Sequence, residues 1–229
     1  MENEQEIRQA STLILMRDRQ EGGPCEVFVT KRPETMTFLP GYYVYPGGAL
    51  EPQDFGKSIA SRCTKACTIE DQFLAHRVAA IRECYEEIGV LLARDSHGEW
   101  VEDMMYEDVR NRIIQGAESF HEWVIRNGWT LEVDVLLYVG CRVTPKNPTN
   151  RRFETRFFMA RIPRSKVPKV NEREVIEGMW LTPQEALQAY AQGLMKMAPP
   201  TLDSLRYLSR FRTVDEALKY TRKNIPLWN

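Results

Sequence analysis

Three carboxylates fall within five positions in Arg82-Glu83-Cys84-Tyr85-Glu86-Glu87-Ile88-Gly89-Val90, and the run stops at a glycine. Read as a helix, the stretch has two faces. Leu74, Val78, Ile81, Tyr85 and Ile88 share one arc about 80° wide. Glu83, Glu86 and Glu87 share an arc of about 100° on the other side. Like charges at this spacing repel by a few tenths of a kcal/mol per pair. Only Arg82 is at hand to relieve them. A hard divalent cation would do so too, because Mg²⁺ takes oxygen ligands and completes its shell with water and substrate phosphates. The bland alternative is a solvated acidic face.

The chain has 229 residues, 43% of them hydrophobic and 28% charged, enough for a core that folds without staples. We read it as one domain over residues 1–229. Lysine plus arginine (31) balances aspartate plus glutamate (32), so no basic field invites nucleic acid or an anionic membrane. The acidic N-terminus is no signal peptide, no run is long and apolar enough to span a bilayer, and Leu227-Trp228-Asn229 is no peroxisomal signal. The expected location is cytoplasmic. Five scattered cysteines fit reduced thiols; Cys63-x3-Cys67 hints at zinc but lacks further ligands.

In chain order, residues 11–17 and 26–30 read as a hairpin across Gly22-Gly23-Pro24. A short strand at 42–45 precedes Pro46-Gly47-Gly48, a corner that lets backbone approach a ligand. Residues 55–74 read as an insert, partly helical. The carboxylate helix opens near Glu70 or Asp71 and closes at Gly89. Residues 101–127 predict two short helices broken near Gly116. Strands follow at 133–143, 153–162 and 176–181. Thr182-Pro183 opens a helix to about Ala191, and two more lie near 201–211 and 213–222. This interspersion favours an α+β chain with a mixed β-sheet sandwiched by helices. Ala75, Ala79 and Ala80, on the carboxylate side, either leave room for a ligand or serve helix propensity. His76 lies on the same side, about 10 Å along the axis from Glu83; His97 and His121 are read as surface residues.

Residues 82–90 match the signature of the Nudix hydrolases, Arg-Glu, apolar, any, Glu-Glu, any, Gly, aliphatic, with Cys84 in the apolar place. Gly48 and Asp54 sit at the spacing of the signature's upstream half, with Asp in place of Glu. The box is then interrupted, and Asp54, Glu51, Glu70 and Asp71 are all candidates to support Arg82. Thr30-Lys31-Arg32, Gly41 and Tyr45-Pro46-Gly47-Gly48 resemble the motif of the branch that cleaves coenzyme A, except that Pro33 replaces a small residue and Thr37 stands where a second arginine belongs. The resemblance implies an α/β/α Nudix fold and a diphosphatase using Mg²⁺ (or Mn²⁺). Glu83, Glu86, Glu87 and the Gly47 carbonyl would be the metal ligands. Glu86 or Glu87 would take the proton, and Arg82 would orient a carboxylate. Thr30, Arg32, Gly41 and Gly48 would line the substrate site. Arg151 and Arg152 either supply further cations or are solvated loop charges. The expected partner is a small nucleoside diphosphate, coenzyme A or an acyl-CoA, with ADP-ribose or NADH as the alternative. A sensor domain without turnover is the reading from another class. Homodimerisation is left open.

Overall fold

The computed structural model describes residues 7–19, 22–65, 70–146, 152–224 and 227–228, without the side chains of residues 71 and 72. Cys67, Arg151 and the Asp71 side chain, all named above, lie outside the described residues.

Strand β1 (Ile7–Arg17) is the spine. Its side chains alternate between two apolar clusters, as the two-residue strand period requires. Leu13 and Leu15 enter one, Ile14 and Met16 the other. β2 (Glu26–Lys31) returns antiparallel from its C-terminal end, and β3 (Tyr42–Val44) continues from β2. β4 (Gly47–Ala49) then pairs antiparallel with Ala10–Thr12 of β1. The glycines of the Pro-Gly-Gly corner therefore belong to a strand. A Cβ on Gly47 would run into the Ser11 carbonyl oxygen, so only glycine lets β4 lie this close.

α1 (Lys57–Ala60) is the helical part of the insert. α2 (Asp71–Ile88) follows, so the insert ends before the helix rather than at 74. β5 (Ala93–Arg94), α3 (Glu107–Ile114), α4 (Phe120–Arg126) and β6 (Thr130–Leu131) come next, with β5 and β6 forming a small ribbon of their own. The strand expected from 133 starts later. Val133–Val135 forms a 3₁₀ turn, and β7 spans Leu137–Val143. β8 (Arg152–Arg161) runs parallel to β1 along nearly its whole length and antiparallel to β7. β9 (Glu177–Leu181) pairs with β2. After α5 (Pro183–Ala191), the two-residue β10 (Lys196–Met197) pairs parallel with β3. α6 (Pro199–Leu208) and α7 (Val214–Lys223) close the chain order.

The helices divide between the sheet's faces. Residues of α2, α3 and α4 join Leu13, Leu15 and Phe158 in one core; those of α5, α6 and α7 join Ile14, Met16 and Met159 in the other. This is the mixed sheet between helical layers that the pattern of elements implies. Thr182 and Thr213 cap α5 and α7 with full capping boxes, and Pro183 takes the first turn of α5.

On α2, Val78, Ile81, Tyr85 and Ile88 are fully buried. So are Ala75, Ala79 and Ala80. Their small side chains do not border open space, as one expectation had it; they let the helix sit close on the sheet. His76 is buried against β1, its Nδ1 2.8 Å from Ser11 Oγ, and its Nε2 has no hydrogen-bond partner. Burial, with the Arg156 charge, pushes its imidazole down from 6.5 to about 4. A folded-state value below the unfolded one means stability present above pH 6.5 and lost as pH falls toward 4. Denaturation of wild type and His76→Gln across this range is therefore expected to show their stability gap narrowing by about 3 kcal/mol. A gap independent of pH would reject the neutral buried imidazole.

Candidate active site

The carboxylate face of α2 is not a solvated one. Glu87 is buried, and the Glu83 and Glu86 side chains keep only 14% and 17% of their accessible surface. Two of them meet the β4 edge: the Gly47 amide donates to Glu87, and a Cβ on Gly48 would come within 2.5 Å of the Glu83 carboxylate. Glycine at this position lets the strand meet the acid.

Arg82 is buried, and its guanidinium serves several anions at once. Nε and Nη2 donate to Asp54 at 3.3 and 3.1 Å, Nη2 also donates to the Ala49 carbonyl at 2.9 Å, and Nη1 donates to Glu83 at 2.8 Å. Glu86 lies 3.6 Å and Glu51 3.8 Å from Nη1. Of the four acids considered as its support, Asp54 carries the paired contact. Asp54 is fully subscribed: besides Arg82 it accepts from the Glu51 amide at 2.8 Å and from His121 Nε2 at 2.7 Å. Four donors match the four lone-pair sites of a carboxylate. Burial alone would raise the Asp54 carboxyl, but His121 and Arg82 outweigh it and hold the group below the usual range.

The other acids are driven the opposite way. Burial, resisted by Arg82, pushes Glu86 up to about 8, with Glu83, Glu51 and Glu174 adding repulsion. Glu83 rises to about 6 through burial, against Arg82, with Glu174 and Asp54 contributing. Glu87 is pushed well above the usual range by burial and then by Glu83 and Glu174, and its Oε2 is buried without a partner. One arginine cannot neutralise this many carboxylates.

Glu174 is a member of the group that pattern reading missed. The C-terminus of α2 explains its presence. The last carbonyls of a helix need outside donors, and here each has one. Gly89, at φ 69°, donates its N–H to Tyr85. Arg110 of α3 donates twice to the Glu86 carbonyl, at 3.2 and 3.0 Å. The amides of Asn171 and Lys169 donate to Glu87 and Ile88 at 2.8 and 2.7 Å. The segment that caps the helix thus delivers Glu174 to the carboxylates.

His121 is a correction as well as an omission. Read as a surface residue, it is buried against Asp54. His97 is exposed. Among the upstream motif residues, Arg32 lies near enough to lower Glu87 by its charge, and its Nε donates to the Phe38 carbonyl at 3.0 Å. Thr30 is buried, with its hydroxyl donating to the Val44 carbonyl at 3.3 Å. Gly41 has φ +71°, and a Cβ there would strike the Glu34 carboxylate. Arg152 sits on β8 opposite Ile7, about 13 Å of strand from the residue opposite Ser11. Cys63 donates to the Ile59 carbonyl at 3.3 Å.

The stretch from 60 to 208 matches the family described as the NUDT19 Nudix domain. The chain belongs to that family. The matched range takes in α2 with all its acids and begins after the Gly47–Gly48 edge and Asp54. The crystal structure of a NUDIX hydrolase from Alicyclobacillus acidocaldarius superposes with a TM-score of 0.83 over 98% of this chain and 99% of that one, at 29% identity. The architecture is the α+β Nudix fold. Among curated proteins, the acyl-coenzyme A diphosphatase NUDT19 of Xenopus laevis is 24% identical over 85% of this chain, and the protein of the same name from Homo sapiens 26% over 86%. The chain spans 62% and 64% of the length of these two relatives.

The donor set suits a hard divalent ion: carboxylate oxygens, one of them an orphaned buried atom, on a face whose acids are raised by burial and then by one another. Among the described residues, no group of three or more acidic, histidine or cysteine side chains is placed so as to hold a metal ion. Arg82 occupies Glu83, so ligand geometry at that residue would require a shift of the contact.

Proposed function

We propose that the protein is a metal-dependent diphosphatase acting on coenzyme A or an acyl-CoA, releasing 3′,5′-ADP and the (acyl-)phosphopantetheine. The observation that carries the reading is the buried, under-neutralised carboxylate face of α2 beside the Gly47–Gly48 edge. The relatives named acyl-coenzyme A diphosphatase support the substrate class.

Glu83, Glu86, Glu87 and the Gly47 carbonyl would hold Mg²⁺ or Mn²⁺. When bound, the ion would neutralise diphosphate charge and make a water acidic enough to attack phosphorus. Glu86 or Glu87 would take the proton of an attacking water as its oxygen joins one phosphorus and the bond from that phosphorus to the bridging oxygen breaks; the bridging oxygen leaves with the other phosphate. Glu86, pushed up to about 8 by burial, has a proton affinity suited to this role. Arg82, fixed by Asp54, holds Glu83 in place. Arg32 pairs with a substrate phosphate through its guanidinium fork. Gly41 and Gly48 keep the backbone close to the ligand, and Thr30 steadies the strand that carries Arg32.

Thr37, exposed where the coenzyme A branch has its second arginine, favours a second reading: another nucleoside diphosphate derivative such as ADP-ribose or NADH. Incubation with CoA, ADP-ribose and NADH in the presence of Mg²⁺, followed by product separation, distinguishes them. Cleavage of CoA to 3′,5′-ADP is the expected result. Cleavage of ADP-ribose or NADH with none of CoA moves the assignment to the second reading, and no cleavage with any of them ends both.

A further inference from the structure

A cleft of about 800 Å³ opens beside the carboxylate helix, a volume suited to a nucleotide-sized ligand. Glu86 and Glu51 line it on one side; on the other stand Arg112, Glu118 and Arg126, all from the α3–α4 segment. Arg112 and Arg126 share a single counter-ion. Arg112 reaches Glu118 through Nε at 3.1 Å and Nη2 at 3.0 Å, and Arg126 Nη2 bonds its other oxygen. Both guanidiniums are half or more exposed, while the carboxylate between them is mostly covered. Two guanidiniums closing on one planar anion, Arg112 with two nitrogens on one oxygen and Arg126 with one nitrogen on the other, make a geometry that also receives a phosphate monoester. Arg112 and Arg126 are the cations of the cleft's lining; Glu122 stands on the same wall as Glu118, and the opposite wall is acidic. The arrangement suits a ligand with a metal-neutralised diphosphate at one end and a further phosphate at the other.

We infer that the cleft seats the end of the substrate remote from the bond cleaved, with Arg112 and Arg126 holding a phosphate monoester where Glu118 lies between them. The inference rests on the diphosphatase reading given above and names a specificity site for it. The Arg112 and Arg126 pair supplies the cations that Thr37 leaves wanting. Glu118 acts as an internal stand-in that any phosphate must displace, so it weakens binding while keeping the arginines in place.

The test uses 3′,5′-ADP and 5′-AMP, which differ only in the 3′-phosphate. Calorimetric titration of the full chain with Mg²⁺ present is expected to show about tenfold tighter binding of 3′,5′-ADP. Arg112→Gln and Arg126→Gln should each shrink that preference, and Glu118→Gln should widen it, a sign that a misfolded variant cannot produce. An unchanged preference in both arginine variants, or none in the wild type, overturns the inference. CoA turnover by the wild type, measured alongside, is a separate readout. A phosphate preference without CoA cleavage removes the diphosphatase reading and keeps the site; cleavage without the preference does the reverse.

Discussion

Replacing Glu87 by glutamine is expected to lower kcat for the preferred diphosphate substrate by about 10³-fold or more and, in the absence of metal, to leave the fold more stable than the wild type. Both effects come from one cause. Glu87 is buried with an unpartnered oxygen, and burial together with Glu83 and Glu174 pushes its carboxyl well above the usual range. A carboxyl raised in the folded state costs stability as pH rises above its unfolded value. For Glu86, in the same environment, that window runs from 4.5 to about 8. The metal-free wild type should therefore lose stability across this range, and Glu87→Gln and Glu86→Gln should lose less. Added Mg²⁺ should raise the wild type's melting temperature and do much less for either variant. Steady-state kinetics and scanning calorimetry check the two halves separately. Turnover within tenfold of wild type in Glu87→Gln would remove that residue from the chemistry.

Arg82→Ala carries the largest expected effect on stability, about 3–5 kcal/mol, the range for removing one partner of a buried ion pair. In a chain of this length that is a fall in melting temperature on the order of 10 °C. The guanidinium touches Asp54, Glu83 and the Ala49 carbonyl at once, and all three would lose a donor in the interior. Arg82→Lys should recover little, because an ammonium cannot reproduce the fork that spans Asp54. Thermal unfolding of the two variants decides it. A lysine variant as stable as wild type would mean that charge alone, not fork geometry, is what the site requires.

Much of this was readable from the order of residues. The two faces of α2 follow from a 3.6-residue period, Gly89 marks its end, and the threonine caps of α5 and α7 announce themselves by their glutamates three residues on. Where pattern reading failed, the missing information was long-range. Gly47–Ala49 has no side-chain alternation to mark it as a strand; it pairs because β1 passes alongside. β10 has two residues, too few for any periodicity. His121, Arg110 and Glu174 belong to no recognisable motif. They matter only because α3, α4 and the loop after β8 fold back onto the end of α2. An acid that supports an arginine cannot be singled out from spacing when an insert separates the two. It took the fold to choose Asp54 over Glu51.

The α3–α4 excursion looks like an embellishment that a protein engineer could excise to reach a minimal catalyst. Yet it donates Arg110 to the carbonyl of Glu86 and His121 to the acid behind Arg82. A trimmed version would keep every signature residue and still leave the Glu86 carbonyl without its donor and Asp54, behind Arg82, one partner short. By the same reasoning, grafting residues 82–90 onto a simpler scaffold would transplant the chemistry without its scaffolding.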